Sequence, residues 1–371
     1  MAELDITPEM RKRGLMLCRQ FLGRTWTKIE DEDFEIERIS GGLSNLLYLC
    51  SLSDKVCTNE GEQRKIMLRV YGKIIRDHPE IVVTDSVIFA LLAEKNMGPK
   101  LFGVFTGGRV EEYIKSRHLT TLELHDPDIS ALCAKVMGRF HQLVMPLVKQ
   151  PRWLFDIMQR YLDEALHIIN TNNSIPAKND KLQKVFSFDL KEELVILKRI
   201  LSQVDSPVVF CHNDMQEGNL LLPDDNLQKR ARRDWHLVII DFEYSQYNFR
   251  GFDLGNHFCE WCYDYSIKEA PYYSAVISNY PSRDQQLHFI RAYLEENPPD
   301  GDYDPAEVEE HMILEANTFA LASHFMWGLW SIVQSHKSDI PFGYLDYALD
   351  RFDAYYYQKK NLPNHLQVNG V

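Results

Sequence analysis

Two apolar runs that each deliver an aspartate constrain this chain more than any other feature. The first, Val208-Val209-Phe210-Cys211, passes through His212-Asn213 to Asp214, and Asn219 follows with four residues between. The second, Leu237-Val238-Ile239-Ile240, ends in Asp241-Phe242-Glu243. Strands that end this way place an Asp-x-x-x-x-Asn loop and a second Asp at the edge of a hydrophobic scaffold. Phosphoryl transfer needs that set: a carboxylate within reach of the attacking hydroxyl, and oxygen ligands for a hard cation on the phosphates. Asp214 is the candidate base, and Asn219 and Asp241 are the candidate metal ligands. Either half alone reads equally well as a polar turn after a buried strand. Both halves in order, on separate apolar runs, make that bland reading the weaker one.

The composition allows such an enzyme and argues against other classes. The chain has 371 residues, enough for one large domain or two smaller ones with real cores. A net charge of −13 argues against general nucleic-acid binding, which needs phosphate-neutralising cations. Apolar runs fall short of a membrane span, and Met1-Ala2-Glu3-Leu4-Asp5 lacks a signal-peptide core. Seven cysteines without regular spacing fit a reduced, cytoplasmic protein. Cys259-Glu260-Trp261-Cys262 lacks the second pair that a structural zinc site would need, so its cysteines read as incidental. The basic run Lys229-Arg230-Ala231-Arg232-Arg233 reads as a solvated hairpin loop rather than a nuclear address.

Thr7-Pro8-Glu9 predicts a helix from there to about Leu22. Strands are expected over Phe34 to Ile39, Leu46 to Leu52 and Lys65 to Tyr71, the last from its period-2 alternation. A helix is expected from Asp85 to Lys95, then strands Leu101 to Phe105 and Arg109 to Ile114 turned at Thr106-Gly107-Gly108. The rest reads mostly helical. Helices are expected over Asp128 to Val144, Phe188 to Leu201 and Val308 to Gln334, with a polar linker over Asn170 to Asp180. The fold class that follows is α+β and two-lobed like a protein kinase, with a small β-rich lobe over residues 1–115 and a large helical lobe over 116–371.

Ser40-Gly41-Gly42-Leu43-Ser44-Asn45, between two expected strands, can lay backbone N–H groups over phosphate oxygens. Arg69 on the third strand stands where kinases carry a phosphate-pairing lysine, with Asp85 or Glu94 as its expected partner. The alternative for Arg69 is an exposed strand charge.

The run Val209 to Asn219 resembles the signature of the choline/ethanolamine kinase family. So do Ile240-Asp241-Phe242-Glu243-Tyr244 with Tyr247 to Trp261, His324 to Ser331 and Phe342 to Tyr347, so the resemblance covers all but the tails. It implies a kinase-like fold and a cytosolic enzyme, commonly a homodimer, that phosphorylates choline with ATP in the first step towards phosphatidylcholine. It further implies Asp214 as base, Asn219 and Asp241 as Mg²⁺ ligands with Glu243 nearby, Ser40 to Asn45 as nucleotide loop and Arg69 as phosphate contact. The hinge that meets adenine through its backbone would be Glu111 to Ile114. It carries Glu112 where vertebrate relatives are expected to have Gln.

A quaternary ammonium has no N–H to donate and is held best by aromatic faces with a carboxylate nearby. Trp327 and Trp330, at i and i+3, share one helix face. Tyr244, Glu260, Tyr265, Phe342 and Tyr347 complete the pocket that the resemblance implies. By residue type alone, such a stripe is more often core. Two alternatives stay open: an ethanolamine kinase, whose primary ammonium wants acceptors, and a catalytically dead kinase fold used as a binding module. An aminoglycoside-type kinase would lack the Trp-x-x-Trp face.

Overall fold

The structure, a computed structural model, describes residues 6–39, 45–71, 79–171, 184–185, 187–229, 232–338 and 340–367. The chain divides into two compact units, Met1–Ser116 and Arg117–Val371.

The first unit opens with α1 (Pro8–Leu22), capped by the Thr7 hydroxyl on the Met10 amide at 3.2 Å and started by Pro8. Strands β1 (Phe34–Ile39), β2 (Asn45–Leu52) and β3 (Lys65–Tyr71) follow, then α2 (Pro79–Glu94), β4 (Leu101–Phe105) and β5 (Gly108–Glu112). They form one antiparallel sheet in the order β1-β2-β3-β5-β4. Leu15, Leu17 and Cys18 of α1 bury against Phe34, Tyr48, Leu68 and Val110 of the sheet. At Gly103, a β-carbon would meet the Phe21 ring at 2.1 Å, so the missing side chain is what lets that ring lie on β4. The first three strands match the expected ranges, with β2 beginning one residue earlier, at Asn45. Helix α2 starts six residues before Asp85, opened by Pro79 in spite of the β-branched run Ile81-Val82-Val83-Thr84 that follows. Strand β5 stops at Glu112, short of the expected Ile114.

The second unit begins within β6 (Ser116–His118) and runs through α3 (Pro127–His141), α4 (Trp153–Thr171) and α5 (Leu190–Leu201). Strands β7 (Val208–Cys211), β8 (Leu220–Pro223), β9 (Val238–Ile239) and β10 (Gln246–Phe249) then precede α6 (Arg250–Glu260). Helices α7 (Arg283–Glu296), α8 (Pro305–Lys337) and α9 (Tyr344–Lys360) complete it. An Asp-Pro pair opens both α3 and α8: Asp126 caps the Asp128 amide and Asp304 the Ala306 amide, each at 2.9 Å. Helix α3 stops at His141, and Leu143 beyond it is only half-buried. Helix α4 continues to Thr171, into the expected linker; residues 172–183 lie outside the described set. Helix α8 is buried nearly all round from Met312 to Val333, a core helix with α6 and α9 packed on it. Gly255 sets the closeness of the α6–α8 crossing. A β-carbon there would lie 2.5 Å from the Ala316 carbonyl oxygen.

The basic run falls in the sequence between β8 and β9; Arg230 and Ala231 lie outside the described residues, and Arg232–Asp234 forms a short 3-10 turn. Arg232 pairs with Asp126 at 2.6 Å, and the Lys229 ammonium lies 2.9 Å from Asn226 Oδ1. Cys259 and Cys262 are buried, their thiols pushed up by burial; Cys259 Sγ lies 3.3 Å from His324 Nε2. Neither is set up for redox chemistry, which needs a lowered thiol. Of the seven cysteines Cys57 is exposed and the other six are buried. Among the described residues no helix is long and apolar enough to cross a membrane.

Candidate active site

Two short strand pairs aim the chemistry. Strand β7 pairs with β10, Cys211 opposite Gln246, so the chain leaves β7 beside residues 244–245. Strand β8 pairs with β9, Leu220 opposite Ile239, and the Ile240 amide donates to the Asn219 carbonyl at 3.0 Å. That bond brings the residue before Asp241 against Asn219.

The loop between β7 and β8 is held by a buried carboxylate. Asp253, on the first turn of α6, accepts from the His212 amide at 2.7 Å, the Asn213 amide at 2.6 Å and His141 Nε2 at 3.0 Å. Burial alone would raise its carboxyl, but the His141 hydrogen bond and the neighbouring imidazoles outweigh it and hold it below the usual range. His141, Cys211 and Asp253 converge closely enough to suggest a metal site. Those three N–H groups already occupy the Asp253 oxygens, and the Cys211 thiol faces the Asn248 and Phe249 carbonyls, so the cluster is a structural clamp. Asn213 has φ +66° and Asp241 φ +65°, left-handed conformations that are uncommon off glycine. Asn213 is fixed there by its amide to the Tyr244 carbonyl at 2.9 Å and by Asn248 at 2.8 Å. His212 accepts the Asp214 amide on Nδ1 at 3.3 Å, so Nε2 carries the proton to the Ile240 carbonyl at 3.1 Å. A neutral ring fits its lowered pKa, caused by burial.

Asn219 Nδ2 spends both hydrogens on Asp214, at 2.8 Å to the carbonyl and 2.9 Å to Oδ2. Its Oδ1 is not used in these bonds and is the candidate ligand atom. Asp214 is pushed well above the carboxylate range, first by burial and then by the charges of Glu260, Asp241 and Glu243. Glu217 is likewise pushed up to about 8 by burial and Glu260, with Thr121 Oγ1 at 3.2 Å. This is a crowd of carboxyl groups that a hard cation would relieve. Asn219 Oδ1, Asp241 and Glu243 offer it oxygen ligands.

The aromatic residues form one connected wall in the same unit. Tyr244 meets Trp327 edge-on at 5.3 Å, Trp327 meets Trp330 at 5.5 Å, and Trp330 meets Tyr344 at 6.0 Å. Phe342 continues it at 5.0 Å from Tyr344 and 5.6 Å from Tyr347, with Tyr265 6.1 Å from Tyr347. Glu260 closes it, accepting from the Tyr265 hydroxyl at 2.8 Å. Trp327 is buried core, its indole N–H bound to Asn256 Oδ1 at 2.8 Å, whereas Trp330 is half-exposed. The core reading thus describes Trp327 and leaves Trp330 as the accessible face. His324 is fully buried.

In the first unit, Arg69 is buried rather than exposed, and its partner is Glu111 at 3.2 Å. The expected pairing with Asp85 or Glu94 is corrected. Asp85 binds Arg109, the residue opposite Arg69 on β5, and Glu94 at the end of α2 is exposed. Glu112 turns its carboxylate to the Lys100 amide at 3.1 Å, which occupies the side chain at the hinge with local backbone. Ile114 accepts from the Ser116 hydroxyl at 2.9 Å through its carbonyl. Of the glycine turn, residues 40–44 lie outside the described set, and Asn45 begins β2. Reasoning from sequence missed Asp253, His141, Glu217, Tyr344 and Arg351. Asp253 and Tyr344 stand inside the motif runs, where their types gave a signal; His141 and Arg351 sit on helices far along the chain and gave none.

Fold and site together define a phosphotransferase of the protein-kinase-like class. Residues 36–356 match the choline/ethanolamine kinase family, and the chain belongs to it. Mouse choline kinase alpha is 46% identical over 98% of this chain and 83% of that protein. The human choline/ethanolamine kinase is 46% identical over 96% of this chain and 88% of its own. The crystal structure of choline kinase from Cryptosporidium parvum is similar at a TM-score of 0.77 and 28% identity, covering 94% of this chain and 95% of that one.

Proposed function

We propose that the chain transfers the γ-phosphoryl group of ATP to the hydroxyl of choline, giving phosphocholine and ADP, the first step towards phosphatidylcholine. The observation that carries this reading is a crowd of carboxyl groups around Asp214, joined through Glu260 to a wall of aromatic rings; on this reading Asp214 is the base. The choline oxygen attacks the γ-phosphorus as its proton passes to Asp214, and the bond to the β–γ bridging oxygen breaks to release ADP. Asn219, Asp241 and Glu243 would hold Mg²⁺, which would supply charge neutralisation on the phosphates. Tyr244, Tyr265, Trp330, Phe342 and Tyr347 with Glu260 hold the ammonium, and Trp327 backs Trp330 from the core. Ser40, Gly41, Gly42, Leu43, Ser44, Asn45, Arg69 and the backbone of Glu112 and Ile114 serve the nucleotide.

Ethanolamine is a second substrate on this reading, supported by relatives named choline/ethanolamine kinase at 46% identity. Asp214, Asn219 and Asp241 are all present and mutually positioned, which favours an enzyme over a binding module. We further place the enzyme in the cytoplasm as a homodimer, on the family resemblance. The test is ADP release from ATP-Mg²⁺ with choline, ethanolamine and an aminoglycoside side by side. Turnover of choline above the other two is expected; turnover of the aminoglycoside alone would overturn the assignment.

A further inference from the structure

We propose that Arg351 is a positioning residue that sets the preference of the pocket for a quaternary over a primary ammonium; this rests on the reading just given. Arg351, on α9, is fully buried. Its Nη2 donates to Glu260 Oε1 and to the Tyr347 hydroxyl, and lies 3.4 Å from the Tyr265 hydroxyl. Its guanidinium carbon sits 3.9 Å from the Tyr263 ring centroid and 4.9 Å from that of Tyr347. Nε and Nη1 have no hydrogen-bond partner among the described residues, so the ion pair with Glu260 is what compensates its buried charge.

Counting hydrogens gives the network a direction. The Tyr265 hydroxyl is 2.8 Å from Glu260 Oε2 and 2.8 Å from the Tyr347 hydroxyl. An ionised carboxylate only accepts, so Tyr265 donates to Glu260 and Tyr347 donates to Tyr265. Arg351 in turn donates to Tyr347 and to the other Glu260 oxygen. The result is a closed ring, Arg351 to Tyr347 to Tyr265 to Glu260, with both carboxylate oxygens engaged and two pocket rings fixed.

The two kinds of ammonium respond differently to that ring. A primary ammonium gains most from free carboxylate oxygens and an unbalanced negative charge. Arg351 occupies one oxygen and balances the charge. A quaternary ammonium has no hydrogen to donate and gains from ring faces held in place, which the same network provides. Neither Arg351 nor its ring touches the reacting oxygen in this scheme, so its effect falls on recognition.

The test compares kcat/KM for choline and for ethanolamine in the parent enzyme and in Arg351→Met, Arg351→Lys and Tyr265→Phe, with melting curves for each. In Arg351→Met the choline-to-ethanolamine ratio should fall roughly tenfold, as choline loses fixed walls and ethanolamine gains acceptors. Arg351→Lys, which keeps the charge, should restore part of the ratio. Tyr265→Phe frees Oε2 and should move the ratio in the same direction as Arg351→Met. A purely structural Arg351 would lower both substrates by one factor, and an unchanged ratio in folded Arg351→Met overturns the proposal. If that variant does not fold, an unchanged ratio in Tyr265→Phe overturns it instead. A parent enzyme that turns over neither amine would overturn the functional reading itself, before any variant is compared.

Discussion

In the first unit, Arg69 and Arg109 are buried with Glu111 and Asp85, and each charge has an opposite charge within hydrogen-bonding reach. In the second, Asp214, Glu217, Asp241, Glu243 and Glu260 share one neighbourhood, where Arg351 answers Glu260. The difference appears in the direction of the shifts. Burial would raise Glu111, but Arg69 and Arg109 more than reverse it, so its carboxyl lies below the usual range. Asp214, buried among like charges, lies well above it. The first cluster balances its charges within itself, Arg69 included. The second gathers carboxyl groups that a cation would relieve, a pattern common at functional sites.

The comparison breaks first at Asp214. Asp214→Asn should cut turnover by about 10² to 10⁴ with the fold intact, because general-base catalysis is worth that much. It should also raise the melting temperature of the metal-free protein, since a repelled charge is removed. A folded variant with near-parent turnover would remove Asp214 from the chemistry, and a lowered melting point would undo the contrast.

Glu111→Gln should do the reverse, destabilising by about 3–5 kcal/mol in chemical denaturation because two buried guanidinium groups lose a shared partner. A loss below about 1 kcal/mol would equate that cluster with a surface ion pair.

Stability against pH sharpens the same contrast. Glu111, with a lowered carboxyl, contributes stability that is present above the ordinary glutamate range and lost as pH falls through its folded value. Asp214, with a raised carboxyl, contributes stability that is present below the ordinary aspartate range and lost as pH rises through its folded value. Excess Mg²⁺ should recover the second loss and leave the first untouched. Melting curves across pH with and without Mg²⁺ read both, and equal Mg²⁺ effects at both ends would contradict the assignment of the cluster.

The smallest effect lies on the aromatic wall. Trp330→Leu should raise the KM for choline about two- to thirtyfold, the worth of one cation–π contact, with little change for ATP. Trp327→Leu, which opens a cavity in packed core and leaves Asn256 Oδ1 with the Ser323 hydroxyl alone, should show mainly in the melting curve. The opposite assignment of the two effects would exchange their roles.

Much of this was legible because local chemistry and tertiary placement agree. Thr7-Pro8 predicts the start of α1, and the alternation over Lys65 to Tyr71 predicts β3, since each signal is complete within a few residues. Asp214, Asn219 and Asp241 were legible because short strands fix loop spacing directly. What failed was partner choice. Arg69 faces Glu111 rather than Asp85 because the β3–β5 register sets Arg109 opposite Arg69, and no window of sequence contains that register. Asp253 and His141 escaped for the same reason, lying 112 positions apart yet hydrogen-bonded at 3.0 Å.

The cysteines offer a consequence of a practical kind. A thiol reagent added to the native protein should modify Cys57, in the first unit, at once. Cys133, Cys211, Cys259 and Cys262 are sealed in the second unit, so they react only when it opens. The slow phase of labelling then serves as a stopwatch for that opening, and its lengthening on adding ATP, Mg²⁺ or choline would report ligand binding without any assay of turnover.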